Sequence, residues 1–497
     1  MSAQFTDRTR KILTIGLSLA LAILLPGRAF AATPQTAARL VLIPPSPVTD
    51  QITLDIRAAV YWAGDREAKI EVAIYLDAQH PDKLLLRQDI DVPAGGARGV
   101  RLRWPTQGHA GKHKIVCVAR QGTKTWRAER PLEVLVTGSR STKRLGGAWV
   151  DIYQFDEPSG RPFNAELRQM TDQQWRELVQ AMHAVDQDIM VVTMMFHNVM
   201  HRGLHKIETE GYRGKAFYPS KLFPGRMPVA SNDPLEAIMS EADRLGMLVM
   251  PGVGCYAFFD FTPGSLRWHK QVADELWQRY GHHPSFYGWY ISEEKDGGLG
   301  TDEERREIVE FFRELTPYLH RLTPEKPVML ASNCYHLRGA EATYHQLLPH
   351  LDILCPFAFH RMPADDLTGE KAAAILQSLC DQSGCHLWMD LETFVFRNVW
   401  ELHPRPIEGL VSDLLRFPNF EKILHYEFPG MMSSPQMSRQ PGGAASVKLY
   451  EDYKRYLRKG PPPRVPRAAV SNPTVVPSKP ATDYNSDCQT ILAQPTP

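Results

Sequence analysis

The sequence predicts an α/β protein in which a small all-β, immunoglobulin-like sandwich precedes a (β/α)8 TIM barrel. Three observations carry that prediction. Over residues 40–136 apolar side chains recur at every second position, the spacing of half-buried strands. From residue 146 onward the pattern changes, and eight short apolar runs alternate with stretches of helical period. Between the two regions lies 137–143, a polar stretch of the composition found at domain boundaries.

Taken in order, the chain opens with Arg8, Arg10 and Lys11 ahead of an apolar run at 12–25, followed by the small-x-small triplet Ala29-Phe30-Ala31. This reads as a signal peptide over residues 1–31, so the protein is expected to be exported, periplasmic or secreted. The run is short for a bilayer span of about 20 residues, and no membrane span is expected after cleavage. The sandwich is placed at 37–138, with strands near 51–57, 68–76, 99–104 and 113–119 and a turn at Pro93-Ala94-Gly95-Gly96. Its acids are scattered, which suits a structural or sugar-presenting accessory role. The barrel is placed at 146–458, with strands at 148–153, 189–196, 248–253, 286–291, 328–332, 351–356, 387–391 and 423–428. Thr171 with Gln174, Asp233-Pro234 with Glu236, and Thr301 with Glu304 mark helix starts, and Gly246 marks a stop. No Gly-rich phosphate turn follows the first strand, which argues against a doubly wound sheet. The tail, 459–497, is rich in Pro, Ser and Thr and is expected to be disordered.

A net charge of +1 argues against a nucleic-acid surface. Seven cysteines in an exported chain leave at least one unpaired. Cys255, Cys334, Cys355 and Cys385 sit in or beside apolar runs, where a thiol behaves as a small hydrophobe. Cys380 and Cys385 are close enough in sequence to be bridged, but their spacing matches no metal motif, and neither a metal nor a cofactor is assigned.

The chemistry concentrates at strand ends. In His283-Pro284-Ser285-Phe286-Tyr287-Gly288-Trp289-Tyr290-Ile291-Ser292-Glu293-Glu294 an aromatic run ends in two adjacent carboxylates, and the seventh run ends in Glu392. The C-terminal ends of barrel strands form the active face. Two carboxylates facing each other across that mouth are what glycoside hydrolysis needs, one to protonate the leaving oxygen and one to attack or activate water. Burial against Trp289 and Tyr290 would help the acid keep its proton. Other strand ends offer Trp149, Asp151, Gln154, His197, Asn198, Tyr256, Asn333, Tyr335, His360, Trp388, Tyr426 and Glu427, the mix of aromatic faces and directional polar groups that sugars require. His197 and His360 lack the companion spacing of metal ligands.

The turn His283-Pro284-Ser285, Trp289 and the terminal Glu294 resemble the strand-4 signature of retaining (β/α)8 glycosidases, the clan that includes β-galactosidases and cellulases. That resemblance implies Glu294 as acid/base and Glu392 as nucleophile. In that signature an Asn precedes the acid, and here the position is Glu293, so the contact of that Asn with the sugar 2-hydroxyl is not carried over and Glu293 stands as a second candidate acid. Gly288-Trp289-Tyr290-Ile291-Ser292-Glu293-Glu294 and Trp388-Met389-Asp390-Leu391-Glu392-Thr393-Phe394 are more closely similar to an exported, glycosidase-like barrel family of unknown function, over nearly the whole barrel. Its sixth strand usually ends in a Pro-Gln-Asp type sequence, where this chain has Pro356-Phe357-Ala358-Phe359-His360. The resemblance implies a carbohydrate substrate. The expected function is thus glycoside hydrolysis, and the same fold would also serve a non-catalytic polysaccharide-binding protein or an exopolysaccharide assembly factor docking through its Pro-rich tail.

Overall fold

The computed structural model describes residues 36–153, 161–197, 204, 207–223, 225–397 and 401–460. The expected leader, Gln154, Asn198 and the tail beyond Gly460 lie outside the described residues.

Eight parallel strands form a nearly closed barrel. They are β1 (Gly147–Val150), β2 (Ile189–Val192), β3 (Leu248–Pro251), β4 (Trp289–Lys295), β5 (Val328–Ser332), β6 (Ile353–Leu354), β7 (His386–Glu392) and β8 (Lys422–Tyr426). Neighbours in sequence are neighbours in the sheet, and β8 returns to pair with β1. Between β3 and β4 the ring is joined only by the isolated bridges Val249↔Phe286 and Gly252↔Tyr290. Glycine is required at 252, since a Cβ there would lie 2.2 Å from the Thr193 carbonyl oxygen and 2.6 Å from Ser292 Oγ. Each strand is followed by helix, the repeat that makes parallel pairing feasible.

The helix ends follow local chemistry. Thr171 with Gln174 and Thr301 with Glu304 form complete capping boxes, the Asp233 side chain accepts from the Glu236 N–H, and Gly246 ends its helix at φ 73°. Five strands, β1, β2, β3, β6 and β8, are shorter than expected, β2 and β6 by the most. β6 has only two residues, and the run from 189 divides into β2 and a separate pairing of Phe196–His197 with Lys215–Ala216. Among the described residues no helix is long and apolar enough to cross a membrane.

Because helices cover the outside and side chains fill the lumen, both faces of each strand are apolar. Trp149, Ile189, Val191, Met250, Tyr290, Met329, Trp388 and Leu424 form the inner cluster. Val150, Val192, Ile291, Leu330, Leu387 and Leu391 belong to the shell shared with the helices.

Two sheets precede the barrel. One contains Ala37–Ile43, Thr53–Tyr61 and Ala97–Pro105, and the other orders Val48–Thr49, Lys124–Leu135, Gly111–Gln121, Ala68–Leu76 and Leu84–Val92. They share one apolar core that includes Leu54, Ile56, Val100, Ile74, Ile115 and Val134. The opposite face of the three-stranded sheet is also buried, because it covers the N-terminal end of the barrel. Val41 and Ile43 join the inner barrel cluster, and Tyr287 Oη donates to the Leu42 carbonyl at 2.8 Å. Arg57 bridges Asp55 at 2.9 Å and Asp352, just ahead of β6, at 2.5 Å. His386, the first residue of β7, lies 2.6 Å from Glu421 and 3.8 Å from Asp55. Charges buried this deeply are tolerable only when fully partnered. The sheets therefore stand at the end opposite the strand-end carboxylates. The 137–143 stretch is likewise held down, with Arg140 2.6 Å from Asp381.

Candidate functional site

At the C-terminal mouth, the pairing of β4 with β5 shifts register between Ile291 and Lys295. The shift separates the two adjacent acids. Glu293 is completely buried, and the backbone N–H groups of Tyr256 and Asp260, on the loop after β3, each donate to one of its carboxylate oxygens. Burial, reinforced by the neighbouring Asp260 carboxylate, pushes Glu293 up to about 8 against those amide bonds. The placement makes Glu293 an anchor for that loop rather than a group facing the cleft. Glu294 is half-buried, and its charge helps raise both Tyr290 on its own strand and Asp390 on β7.

On β7, Trp388, Asp390 and Glu392 share the inner face by the two-residue strand period. Glu392 is 2% exposed. Arg361 Nε donates to its two oxygens at 2.8 and 3.0 Å, Nη2 donates to Oε1 at 2.5 Å, and His360 Nδ1 lies 3.0 Å from Oε2. Burial alone would raise this carboxyl, but Arg361 and then His360 hold it below its ordinary value, so it is ionised at neutral pH. Arg361 Nη1 also donates to Tyr335 Oη at 2.5 Å. Asp390 is placed oppositely. Burial, then the charges of Glu392 and Glu294, push it well above the carboxylate range, and its Oδ1 has no hydrogen-bond partner. Asp390 therefore holds a proton beside an ionised Glu392.

The ends of β8 and β1 form a second polar corner. Tyr426 Oη donates to Asp151 Oδ2 at 2.6 Å, and Arg161 Nη2 donates to the same Tyr426 oxygen. Arg161 also lies 2.7 Å from Glu427 and 3.5 Å from Asp151. Burial, with Asp151 alongside, keeps Glu427 well above the usual carboxylate range.

Of the residues expected at the cleft, Glu294, Glu392, His360, Asp151 and Tyr426 come to the mouth. His197 stacks on Tyr153 at 5.9 Å, also past a strand end. Five aromatic candidates do not reach it, Trp149 being one of those in the lumen. Trp289 is in the outer shell, with Nε1 donating to Thr323 Oγ1 at 2.8 Å. Tyr290 and Trp388 fill the lumen below the carboxylates. Tyr256 is stacked on Tyr212 at 5.6 Å and its hydroxyl donates to the Ile207 carbonyl. The lumen residues are shut in because an eight-stranded barrel is closed by its own side chains, whereas Trp289 faces the helices and Tyr256 is taken up by the packing around its own loop. Asn333 shapes a loop, its Oδ1 accepting from the N–H groups of Gly297 and Tyr335 at 2.9 and 3.0 Å. The turn residue His283 lies between Glu236 at 3.2 Å and Asp243 at 2.7 Å, at the other end of the barrel.

Sequence reasoning missed Arg361, Arg161 and Asp390. The two-residue period from Glu392 could have found Asp390. Nothing local announces Arg361, which reaches Glu392 from a short turn after Ala358, a residue at φ 74°. Among the described residues one cluster, Glu236, His282 and His283, has its ligand atoms close enough to hold an ion, but both ring nitrogens of His283 already face carboxylates.

Beta-glucuronidase of Rattus norvegicus is 29% identical over 123 residues, which is 24% of this chain and 17% of that enzyme. The Sus scrofa beta-glucuronidase is 25% identical over 128 residues, 25% of this chain and 18% of the enzyme. This chain thus matches under a fifth of the length of those curated relatives. Among solved structures, a protein assigned as an alpha-L-fucosidase from Bacteroides thetaiotaomicron is 18% identical with a TM-score of 0.48, covering 65% of this chain and 96% of that one. Bacteroides uniformis beta-glucuronidase 2 is 14% identical with a TM-score of 0.40, covering 85% and 50%. The family profile described as Domain of unknown function (DUF4434) matches residues 145–439, the barrel with every group of the mouth described above, and the chain belongs to that family.

Proposed function

We propose that this chain is an exported glycoside hydrolase acting on a poly- or oligosaccharide, with Glu294 as general acid/base and Glu392 as nucleophile in a retaining mechanism. The observation that carries the reading is the contrast between the two groups. Glu392 at the end of β7 is held ionised by Arg361, as a nucleophile must be, while Glu294 stands half-exposed at the end of β4, three strands away around the mouth. In this mechanism Glu392 attacks the anomeric carbon as Glu294 protonates the departing oxygen. Glu294 then takes a proton from the water that releases the sugar. The beta-glucuronidase matches support glycosidic chemistry and leave the sugar open. In this reading residues 37–138 are an immunoglobulin-like accessory domain that braces the barrel from below. The test is hydrolysis of a panel of chromogenic glycosides and bacterial polysaccharides by the wild type, Glu294→Gln and Glu392→Gln. NMR of the first-formed sugar would read the stereochemistry: the anomer of the substrate is expected, and the opposite anomer would contradict the retaining mechanism.

One observation favours a second reading. Arg361 and His360 together engage both oxygens of Glu392, as they would in a rigid polar wall. A polysaccharide-binding or exopolysaccharide assembly protein would show calorimetric binding of oligosaccharides with no turnover, and binding would survive Glu392→Gln.

A further inference from the structure

The helix Gly369–Ser383 ends on Gly384 in the left-handed conformation, φ 77°, and the Gly384 N–H donates to the Cys380 carbonyl at 2.9 Å. In such a cap the residue after the glycine folds back against the last helical turn. Here those two residues are Cys385 and Cys380. Ser383 tightens the turn, its hydroxyl donating to the Cys380 carbonyl at 3.1 Å and accepting from the Cys385 N–H at 3.3 Å. Both thiols are buried in the barrel's outer core, and the Ser383 hydroxyl, bonded to the backbone of both residues, draws Cys380 and Cys385 together.

We propose that Cys380 and Cys385 are a disulfide-forming pair that ties the end of this helix to the start of β7. The inference is independent of the glycosidase reading. Its place in the fold gives it consequence. β7 begins at His386, inside the buried charge network of the barrel floor, and ends at Glu392. Arg103 of the three-stranded sheet donates to the Gly384 carbonyl at 2.7 Å, and Arg140 pairs with Asp381. A bond here would fix the point where the accessory sheets, a barrel helix and the strand carrying Glu392 meet. The contact with Cys385 and then burial push the Cys380 thiol well above its ordinary value, so it reacts slowly once folded. Formation during loosening of the chain follows ordinary exchange. One thiolate attacks the sulfur of oxidised glutathione and releases a glutathione thiolate. The second thiolate then attacks the mixed disulfide and releases the other, so that the pair loses two protons and two electrons. Cys117, in a strand of the N-terminal sheets, and Cys255, Cys334 and Cys355, each past the end of a different barrel strand, are also buried and are expected to stay reduced.

The test uses the purified full chain held in sub-denaturing urea with oxidised glutathione, in parallel with dithiothreitol, then unfolded and alkylated with iodoacetamide. Trypsin leaves both cysteines on one peptide, 372–397. After oxidation that peptide is expected to carry no carbamidomethyl group and to be about 2 Da lighter than the unalkylated dithiol. Two carbamidomethyl groups, a lasting glutathione adduct, or linkage to another peptide would each overturn the proposal. As a second reading, oxidation should raise the thermal midpoint of the wild type by a few degrees and leave the double variant Cys380→Ala, Cys385→Ala unmoved. An equal shift in both proteins would also overturn it.

Discussion

Glu392 and Arg361 decide what the mouth can do, because a carboxylate taken almost wholly out of water stays ionised only if a cation stays with it. Replacing Arg361 by Met is therefore expected to raise the Glu392 pKa, since the largest of the lowering influences is lost. On any glycoside that the wild type cleaves, the acid limb of the kcat/KM profile should move to higher pH, while an unmoved limb would separate Arg361 from the reacting carboxylate. Much of this site was legible in the sequence at the level of strand-end acids. Glu294 and Glu392 end apolar runs, and an acid there is costly unless it has a task. The arginines were not legible, because the contact between Arg361 and Glu392 depends on a turn whose geometry is set in three dimensions. Nor could sequence separate Trp289 from a sugar platform, since the same aromatic residue serves a packed shell equally well.

At the scale of elements, the loop after β3 is held to β4 by Glu293. Its folded pKa, about 8, is raised above that of a free carboxyl. The sign follows directly: the unfolded chain ionises first, so stability is full below the unfolded value near 4.5 and declines as pH rises through about 8. Glu293→Gln is expected to flatten that decline, by an amount on the order of a few kcal/mol at pH 8. Chemical denaturation from pH 5 to 8 checks it, and parallel curves for the two proteins would show that Glu293 does not titrate in this window. In Glu293→Ala, hydrogen exchange at Tyr256 and Asp260 should accelerate while β4 itself stays protected. The helix starts were the most legible elements. A Thr with Gln or Glu three residues on satisfies its own end wherever the helix later packs. Strand lengths were less legible, since β6 and β2 stop where their pairing with neighbouring strands stops and not where the apolar run ends.

For the whole molecule, the decisive feature is that the three-stranded sheet covers the barrel floor. Sequence could not reveal this. Arg57 and Asp352 are 295 residues apart, and a strand buried on both faces still shows apolar residues at alternate positions. The interface has its own pH signature. His386 is raised to about 9, because Glu421 and Asp55 outweigh the burial that would lower it. Its contribution to stability is full below its unfolded value near 6.5 and is lost as pH rises through about 9. The thermal midpoint of the wild type, relative to His386→Gln, should fall between pH 6.5 and 9.5, and a constant difference would mean that the floor network does not depend on the imidazolium.

In the proposed mechanism two carboxylates, at the ends of β4 and β7, divide the labour of glycoside cleavage. Trapping tests it most directly: wild type, Glu294→Gln and Glu392→Gln are each incubated with an activated 2-deoxy-2-fluoro glycoside chosen from the substrate panel, and intact mass is measured. A covalent glycosyl adduct is expected on the wild type, mapping to Glu392 and absent from Glu392→Gln. With a leaving group that needs no proton, Glu294→Gln should still form the adduct but release it far more slowly. An adduct on another residue, or turnover that persists in Glu392→Gln, would contradict it.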